Sequence, residues 1–302
     1  MTNQYLPFEL RTLRYFLTFV NEGGVSNASK ALHITQPTLS RQLADLERNV
    51  GKQLWSKESR RITLTAEGDR LYEYARTICE LSEQAAEELA NTDMGVSGVV
   101  HIGAGESVGM KVIARALHQL QYDHPGISVH LSSGFTMDHM EKLNKGLLDF
   151  ILECETIGRP GYGSLEFPIM DRWVALMRED DPLASRDAVR PEDFKGASVT
   201  LSRQSMKTGK MAEWFGDVLE TMHVVATHNL TLNSSFLVRE GLGYVFTYDD
   251  MFTAPGLVAR PFTPELTSKC GLVWVKKRSA SKAAQIFLDY VRRECNRPLA
   301  NA

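Results

Sequence analysis

Cysteine is scarce in this chain: Cys79, Cys154, Cys270 and Cys295 are the four in 302 residues. They lie far apart, with no Cys-x-x-Cys pair and no Cys/His spacing suited to zinc. That removes a structural metal and a thioredoxin-like pair as organising devices. Four reduced structural thiols are expected, since a free cysteine usually behaves as a small buried hydrophobe. Long apolar runs are missing too, and nothing approaches the ~18 residues of a membrane span. The start, MTNQYLPFELRTLRYF, has no basic segment followed by an apolar run, so no signal peptide is expected. These absences predict a cytoplasmic protein with no membrane contact. A P-loop, a nucleophile elbow and a metal-ligand motif are also absent. The glycines Gly103, Gly105 and Gly109 miss the dinucleotide fingerprint by one position. No enzymatic activity, cofactor or metal is predicted, and a transport binding protein is disfavoured by the missing leader.

What is present is ordinary in amount and uneven in placement. A 302-residue chain with 43% hydrophobic and 24% charged residues has room for two or three globular domains. The net charge of −3 conceals nine Lys/Arg against five Asp/Glu in residues 1–64, so that segment carries +4 and the remainder −7. A basic end on an acidic body suits a protein that docks one end on nucleic acid.

The stretch Ser26–Gly68 carries the strongest pattern. Leu39, Leu43, Leu46 and Val50 recur at helical spacing; Thr35 fits the N-cap, Pro37 the first turn and Gly51 the stop. The opposite face shows Gln36, Pro37, Thr38, Ser40 and Arg41 in its first turns, followed by Asp45 and Arg48. Gln, Arg and small hydroxyls can pair with base edges in a major groove. A short helix capped by Ser26, with Ala28, Ala31 and Leu32 as buried contacts, precedes it through a turn at His33-Ile34. Short helix, tight turn and second helix form a helix-turn-helix. Leu54 and Trp55 then anchor a hairpin wing whose tip carries Arg60 and Arg61 before an Ile62-Thr63-Leu64 strand.

Read together, Ala28…Leu32, Thr35-Gln36-Pro37-Thr38-Leu39-Ser40-Arg41, Leu46-Glu47, Val50-Gly51, Leu54-Trp55, Arg60 and Leu64-Thr65-Ala66-Glu67-Gly68 closely resemble the LysR-type transcriptional regulators. Ser29, Val50, Trp55 and Lys57 depart from the family's Ala, Leu, Phe and Arg. The resemblance implies an α/β protein with an N-terminal winged helix-turn-helix, a long linker helix and a two-lobed effector domain like periplasmic binding proteins. It implies promoter DNA, a small-molecule effector and RNA polymerase as partners, in a homodimer or homotetramer. Expected DNA contacts are Thr35, Gln36, Pro37, Thr38, Ser40, Arg41, Arg60 and Arg61. A thiol-based, redox-responsive regulator of the same fold is the alternative.

The expected domains are a winged module over 1–65, a linker helix over 66–91 and an effector domain over 92–302. The resemblance places its lobes at about 97–164 with 267–302, and at about 165–266. A first helix, Glu9–Asn21, should bury Leu10, Leu13, Phe16, Leu17 and Val20. In the linker, Leu71, Tyr74, Ala75, Ile78, Leu81, Ala85 and Leu89 form a stripe that suits pairing with a second copy. After 98 the chain alternates strands and helices, which argues for open α/β sheets. Leu165–Ile169 and Trp173–Met177 read as two separate strands. Ligands in such sheets sit beyond the strands' carboxyl ends. That singles out Ser107, Ser133, Gly134, Thr136, Ser202, Arg203 and Thr247 as effector contacts, although each serine serves equally as a cap or turn former. Glu106 in the first loop opposes an anionic effector unless Arg203 compensates.

Overall fold

A computed structural model describes residues 8–58, 61–90, 96–154, 157–202, 209–251 and 254–297. The chain divides into two compact units, Met1–Ala90 and Asn91–Ala302.

The first unit holds α1 (Leu10–Asn21), α2 (Val25–Ala31), α3 (Gln36–Val50), β1 (Trp55–Glu58), β2 (Arg61–Leu64) and α4 (Ala66–Ala90). Its core is Leu13, Phe16 and Phe19 of α1 against Ala28 of α2, the Leu39/Leu43/Leu46 face of α3, Leu54, and Leu71, Ala75 and Cys79 of α4. Trp55 closes it, edge-on to Phe19 with ring centroids 5.0 Å apart. Thr35 caps α3 by accepting from the Thr38 N–H, Pro37 sits in the first turn, and Gly51 ends the helix at φ 70°. The turn before α3 places His33 at φ 53°, a left-handed position that His tolerates better than most residues.

Three expectations change here. Ser26 does not cap α2; the N-cap is Gly24, and the Ser26 carbonyl accepts from the Ser29 hydroxyl at 3.0 Å. Ala31 is exposed while Ser29 is buried, because that internal hydrogen bond lets the hydroxyl leave water. Leu10 is exposed, and Phe19 takes its place in the core.

One residue splices the wing to its neighbours. The Leu54 N–H donates to Glu47 of α3 at 2.7 Å, and the Leu54 carbonyl accepts from the Thr65 N–H at 3.0 Å. Thr65 in turn caps α4 by accepting from the Gly68 N–H and donates to the Gln53 carbonyl. Gly68 lies so close that a Cβ there would stand 1.8 Å from the Leu54 oxygen.

The second unit is one sheet shared by two lobes. Its strands are β3 (Gly98–Ala104), β4 (Ile127–Ser133), β5 (Phe150–Cys154), β6 (Tyr162–Arg178), β7 (Ser198–Ser202), β8 (His223–His228), β9 (Tyr244–Tyr248), β10 (Leu257–Pro261) and β11 (Thr267–Val275). The helices are α5 (Met110–Asp123), α6 (Thr136–Lys145), α7 (Gly209–Phe215), α8 (Val218–Thr221), α9 (Thr231–Arg239) and α10 (Lys282–Cys295). The order is β4-β3-β5-β11-β6-β9-β7-β8, with β10 also on β6. The β4-β3-β5 and β9-β7-β8 runs are parallel, as crossover helices require, and β11 and β10 run antiparallel to β6. Separate cores fill the lobes: Ile102, Ile113, Phe150 and Phe287 in one, Phe194, Phe215, Phe246 and Phe262 in the other.

The two strands expected at 165–169 and 173–177 are one 17-residue strand, β6. Residues Tyr162–Arg172 pair with β11 in the first lobe, and Trp173–Arg178 pair with β9 and β10 in the second. The passage between lobes therefore falls at Asp171–Trp173, not at 164/165. Asp171 reads as an interruption in sequence, yet it sits in the strand fully buried with its donors supplied by Ser107 and Val108 of the loop after β3.

Replacing Gly68 with Ala should cost the first unit about 3 kcal/mol, because the clash is with backbone and cannot be relieved by a side-chain rotation. Hydrogen exchange of the α1 and α3 core amides in the full chain measures it. Unchanged protection would mean that the Leu54–Gly68 contact is not rigid.

Candidate functional site

Two places concentrate functional chemistry, one in each unit. On α3, Gln36, Pro37, Thr38, Ser40 and Arg41 are all exposed, as is Thr35 at its cap, opposite the buried leucines. The face is partly pre-ordered. Thr35 and Thr38 share a hydroxyl hydrogen bond of 2.8 Å, and the Gln36 amide lies 3.4 Å from the Ser26 hydroxyl as donor. Further along, Arg48 is bound to Asp45 at 2.7 Å. Unneutralised positive charge is thereby confined to the first two turns, at Arg41. Arg61 begins β2, while Arg60 lies outside the described residues.

The second place is a cavity of about 80 Å³ between the lobes. The first lobe contributes Gly105, Glu106, Gly134, Thr136, Leu152 and Cys154; the second contributes Ser202, His228, Asn229, Thr231, Phe246, Thr247 and Tyr248; Trp173 stands where β6 passes between them. Strand ends and the loops after them supply nearly all of these, as open parallel sheets dictate. The Trp173 indole is fixed by donating to the Ser268 hydroxyl at 3.0 Å and lies against Tyr248, with centroids 4.4 Å apart. Thr231 and Thr247 share a hydroxyl hydrogen bond of 2.8 Å.

Of the expected effector contacts, Gly134, Thr136, Ser202 and Thr247 meet at this cavity. Ser107 does not. It is completely buried behind the wall, donating to Asp171 at 2.8 Å and accepting from the Gly109 N–H at 2.9 Å. Its place at the end of β3 suited either role, and the buried carboxylate decided it. Ser133 is exposed at the end of β4 and is not part of the lining, because the alternation of a strand turns it away from its neighbour Gly134. Arg203 lies outside the described residues.

Sequence reasoning missed Trp173, His228 and the role of Glu106. Glu106 reaches across the cleft, and its Oε2 accepts from the Thr231 N–H at 2.7 Å, at the start of α9. A carboxylate at a helix N-terminus is stabilised by the unpaired amides there. A second clasp, Lys111 to Asp250 at 3.1 Å, closes the exposed rim.

The electrostatics separate the groups. Burial holds the His228 imidazole well below its usual range, at about 4, so the ring is neutral near pH 7. Burial raises Asp171, and hydrogen bonds from Ser107, Val108 and Cys154 partly offset it. Cys154 and Cys270 stand opposite each other in the β5–β11 register. Burial, then the neighbouring Asp171, pushes Cys154 far up and Cys270 up to about 12. Burial raises Cys79 and Cys295 as well. Among the described residues no group of three or more His, Cys, Asp or Glu is arranged to hold a metal, and no helix is long and apolar enough to cross a membrane.

His228 predicts a pH dependence. Its folded pKa lies below the unfolded value of 6.5, so the unfolded chain takes up a proton that the folded chain refuses as pH falls from 6.5 towards 4. Stability should fall across that window by ~1–2 kcal/mol on account of this ring, allowing for its partial exposure. His139, lowered by burial and by Lys142, acts in the same direction, so the difference between the parent and His228→Asn isolates the effect. Parallel stability–pH curves for the two proteins would contradict the assignment.

Comparison with known proteins agrees with the geometry of both places. Residues 10–69 match the bacterial regulatory helix-turn-helix protein family of lysR type, and residues 94–296 match the LysR substrate binding domain. The chain is 27% identical over 293 residues to the Hca operon transcriptional activator HcaR of Escherichia coli K12, covering 94% of this chain and 97% of that one. It is 26% identical over 193 residues to the transcriptional dual regulator OxyR of Escherichia coli K12, covering 64% and 63%. The crystal structure of full-length CbnR complexed with its target DNA superposes with a TM-score of 0.77 at 18% identity, covering 95% of this chain and all of that one. With a helix-turn-helix module and an effector-domain match that together span most of its length, the chain belongs to the LysR family of transcriptional regulators, which are not enzymes.

Proposed function

We propose that this regulator binds promoter DNA through the first two turns of α3 and alters that binding when a small molecule occupies the cleft between its lobes. The observation that carries the reading is the fully exposed polar face Gln36-Pro37-Thr38…Ser40-Arg41 on a helix whose other face is sealed by leucines. Such a helix fits the major groove, with Arg41 suited to guanine and Gln36 to adenine. Thr35, Arg60 and Arg61 serve the phosphate backbone in this reading. The protein works in the cytoplasm, where promoter DNA and RNA polymerase are found.

Two copies act together. Leu71, Ala75 and Cys79 of α4 are spent on the unit's own core, but Tyr74, Ile78 and Leu89 on the same helix stay exposed. Apolar residues left outside at helical spacing suit a second copy, giving a homodimer that can assemble further into a homotetramer. Effector closing the cleft changes transcription to the extent that it binds one arrangement of the assembly better than another.

The thiol-based alternative would use Cys154, which lines the cleft, and Cys270 opposite it. Reactive cysteines sit where the thiolate is favoured. Here burial and Asp171 favour the protonated thiols, which supports small-molecule sensing over redox sensing.

Arg41→Ala should cost operator binding ~1–3 kcal/mol and relax preference at one base position, the size of one good base contact. Footprinting against point-substituted operators tests it; unaltered preference at every position would remove Arg41 from the reading face. Ile78→Asp should convert dimers into monomers in sedimentation and weaken operator binding with them, since it sets a charge in an apolar contact. An intact dimer would show that the exposed α4 residues face elsewhere.

A further inference from the structure

We propose that the cleft selects a small cationic ligand rich in hydrogen-bond donors, a primary ammonium carrying a neighbouring hydroxyl, and rejects carboxylates. The proposal rests on the cleft being the ligand site.

An anion entering an α/β cleft ordinarily seats on a helix N-terminus, where backbone N–H groups lack partners. In this cleft the seat at α9 is taken, and α6, whose first residue Thr136 also lines the cavity, already carries Asp138 in its first turn. α9 begins at Thr231 with no side-chain cap from Leu230, and its amide is occupied by the protein's own Glu106 carboxylate at 2.7 Å. A ligand carboxylate would have to displace Glu106 and leave two like charges in a half-closed cavity, where the repulsion is weakly screened. A ligand cation meets the opposite situation. An ionised carboxylate offers about four acceptor sites, and the Thr231 amide uses one. Glu106 itself lines the cavity.

A second observation points to a donor and acceptor group on the same ligand. His228 lines the same cavity, and its Nδ1 is buried with no hydrogen-bond partner among the described residues. A buried nitrogen left unpaired is destabilising. With the ring turned towards the cavity, a ligand hydroxyl would satisfy it in either tautomer, because a hydroxyl both donates and accepts. Trp173 and Tyr248 add aromatic surface that attracts a cation and leaves an anion unaided. The cavity of about 80 Å³ holds roughly half a dozen water-sized groups, so the ligand is small.

The test uses two probes that share a two-carbon hydroxylated frame and differ only in the charged end: ethanolammonium and glycolate. Each is titrated calorimetrically into the full chain at pH 7.5 and constant ionic strength. Ethanolammonium should bind at least tenfold tighter than glycolate. Glu106→Gln keeps an oxygen for the Thr231 amide, so the fold and the α9 contact persist. In that variant ethanolammonium should weaken at least tenfold while glycolate holds or improves. His228→Phe should weaken ethanolammonium, and His228→Asn, which retains a polar group near the Nδ1 position, should recover part of the loss. Tighter binding of glycolate by the parent, equal affinity for the two probes, no binding of either up to 50 mM, or an unchanged preference in Glu106→Gln would each overturn the proposal. Operator footprinting of the same samples separates the two readings. Intact operator binding with no cation preference overturns only the ligand class, and cation preference without operator binding overturns only the regulatory reading.

Discussion

The two-lobed unit depends on one buried carboxylate. Removing Asp171 from water costs several kcal/mol unless donors surround it. They do: the Ser107 hydroxyl at 2.8 Å, the Val108 amide at 2.7 Å and, more weakly, the Cys154 thiol at 3.5 Å. These donors belong to the loop after β3 and to the end of β5, while Asp171 itself belongs to β6 just before that strand leaves the first lobe for the second. The carboxylate thus fixes a loop of one lobe to the strand that enters the other. With Ser107 and Val108 pinned, the preceding residue, Glu106, is left to project across the cleft to Thr231. The chemistry of the cavity is a consequence of how that charge was made tolerable.

The first unit solves a different problem through the peptide groups of one residue. Its wing is only two strands, too little to hold a fixed orientation by burial. Leu54 supplies the constraint, because both of its peptide groups are committed, one to α3 and one to the start of α4. The Leu-Thr-x-x-Gly pattern follows from this geometry: Leu64 ends the wing strand, Thr65 binds and caps, and Gly68 has no Cβ to strike the Leu54 oxygen.

Local physics was legible in the sequence, and long-range pairing was not. The period of Leu39, Leu43 and Leu46 fixed which side of α3 is exposed, and Thr35 and Gly51 marked its ends, because caps and amphipathicity are decided within a few residues. Gly134, Thr136, Ser202 and Thr247 could be placed at one cleft from the rule about strand ends. Ser107 obeyed the same rule and went elsewhere, since nothing near it in sequence announces Asp171, 64 residues on. The same blindness split β6 in two, for a polar residue in a strand reads as a break unless its partners are known. Glu106 was legible as a charge and not as a cap, because the helix it serves begins 125 residues later. On α4, an apolar stripe does not reveal that its Leu71–Ala75 edge goes to α1 while Tyr74 stays in water.

The commitment of Leu54 also makes α3 and α4 parts of one stiff piece, and stiffness turns angle into distance. A 25-residue helix such as α4 is about 37 Å long. In a pair of chains joined along α4, tilting one such helix by ~10° about its far end would carry the attached α3 by about 6 Å, nearly two base-pair steps of ~3.4 Å. A small change of angle between two chains would then be read on DNA as a change of spacing, with no rearrangement inside the winged module.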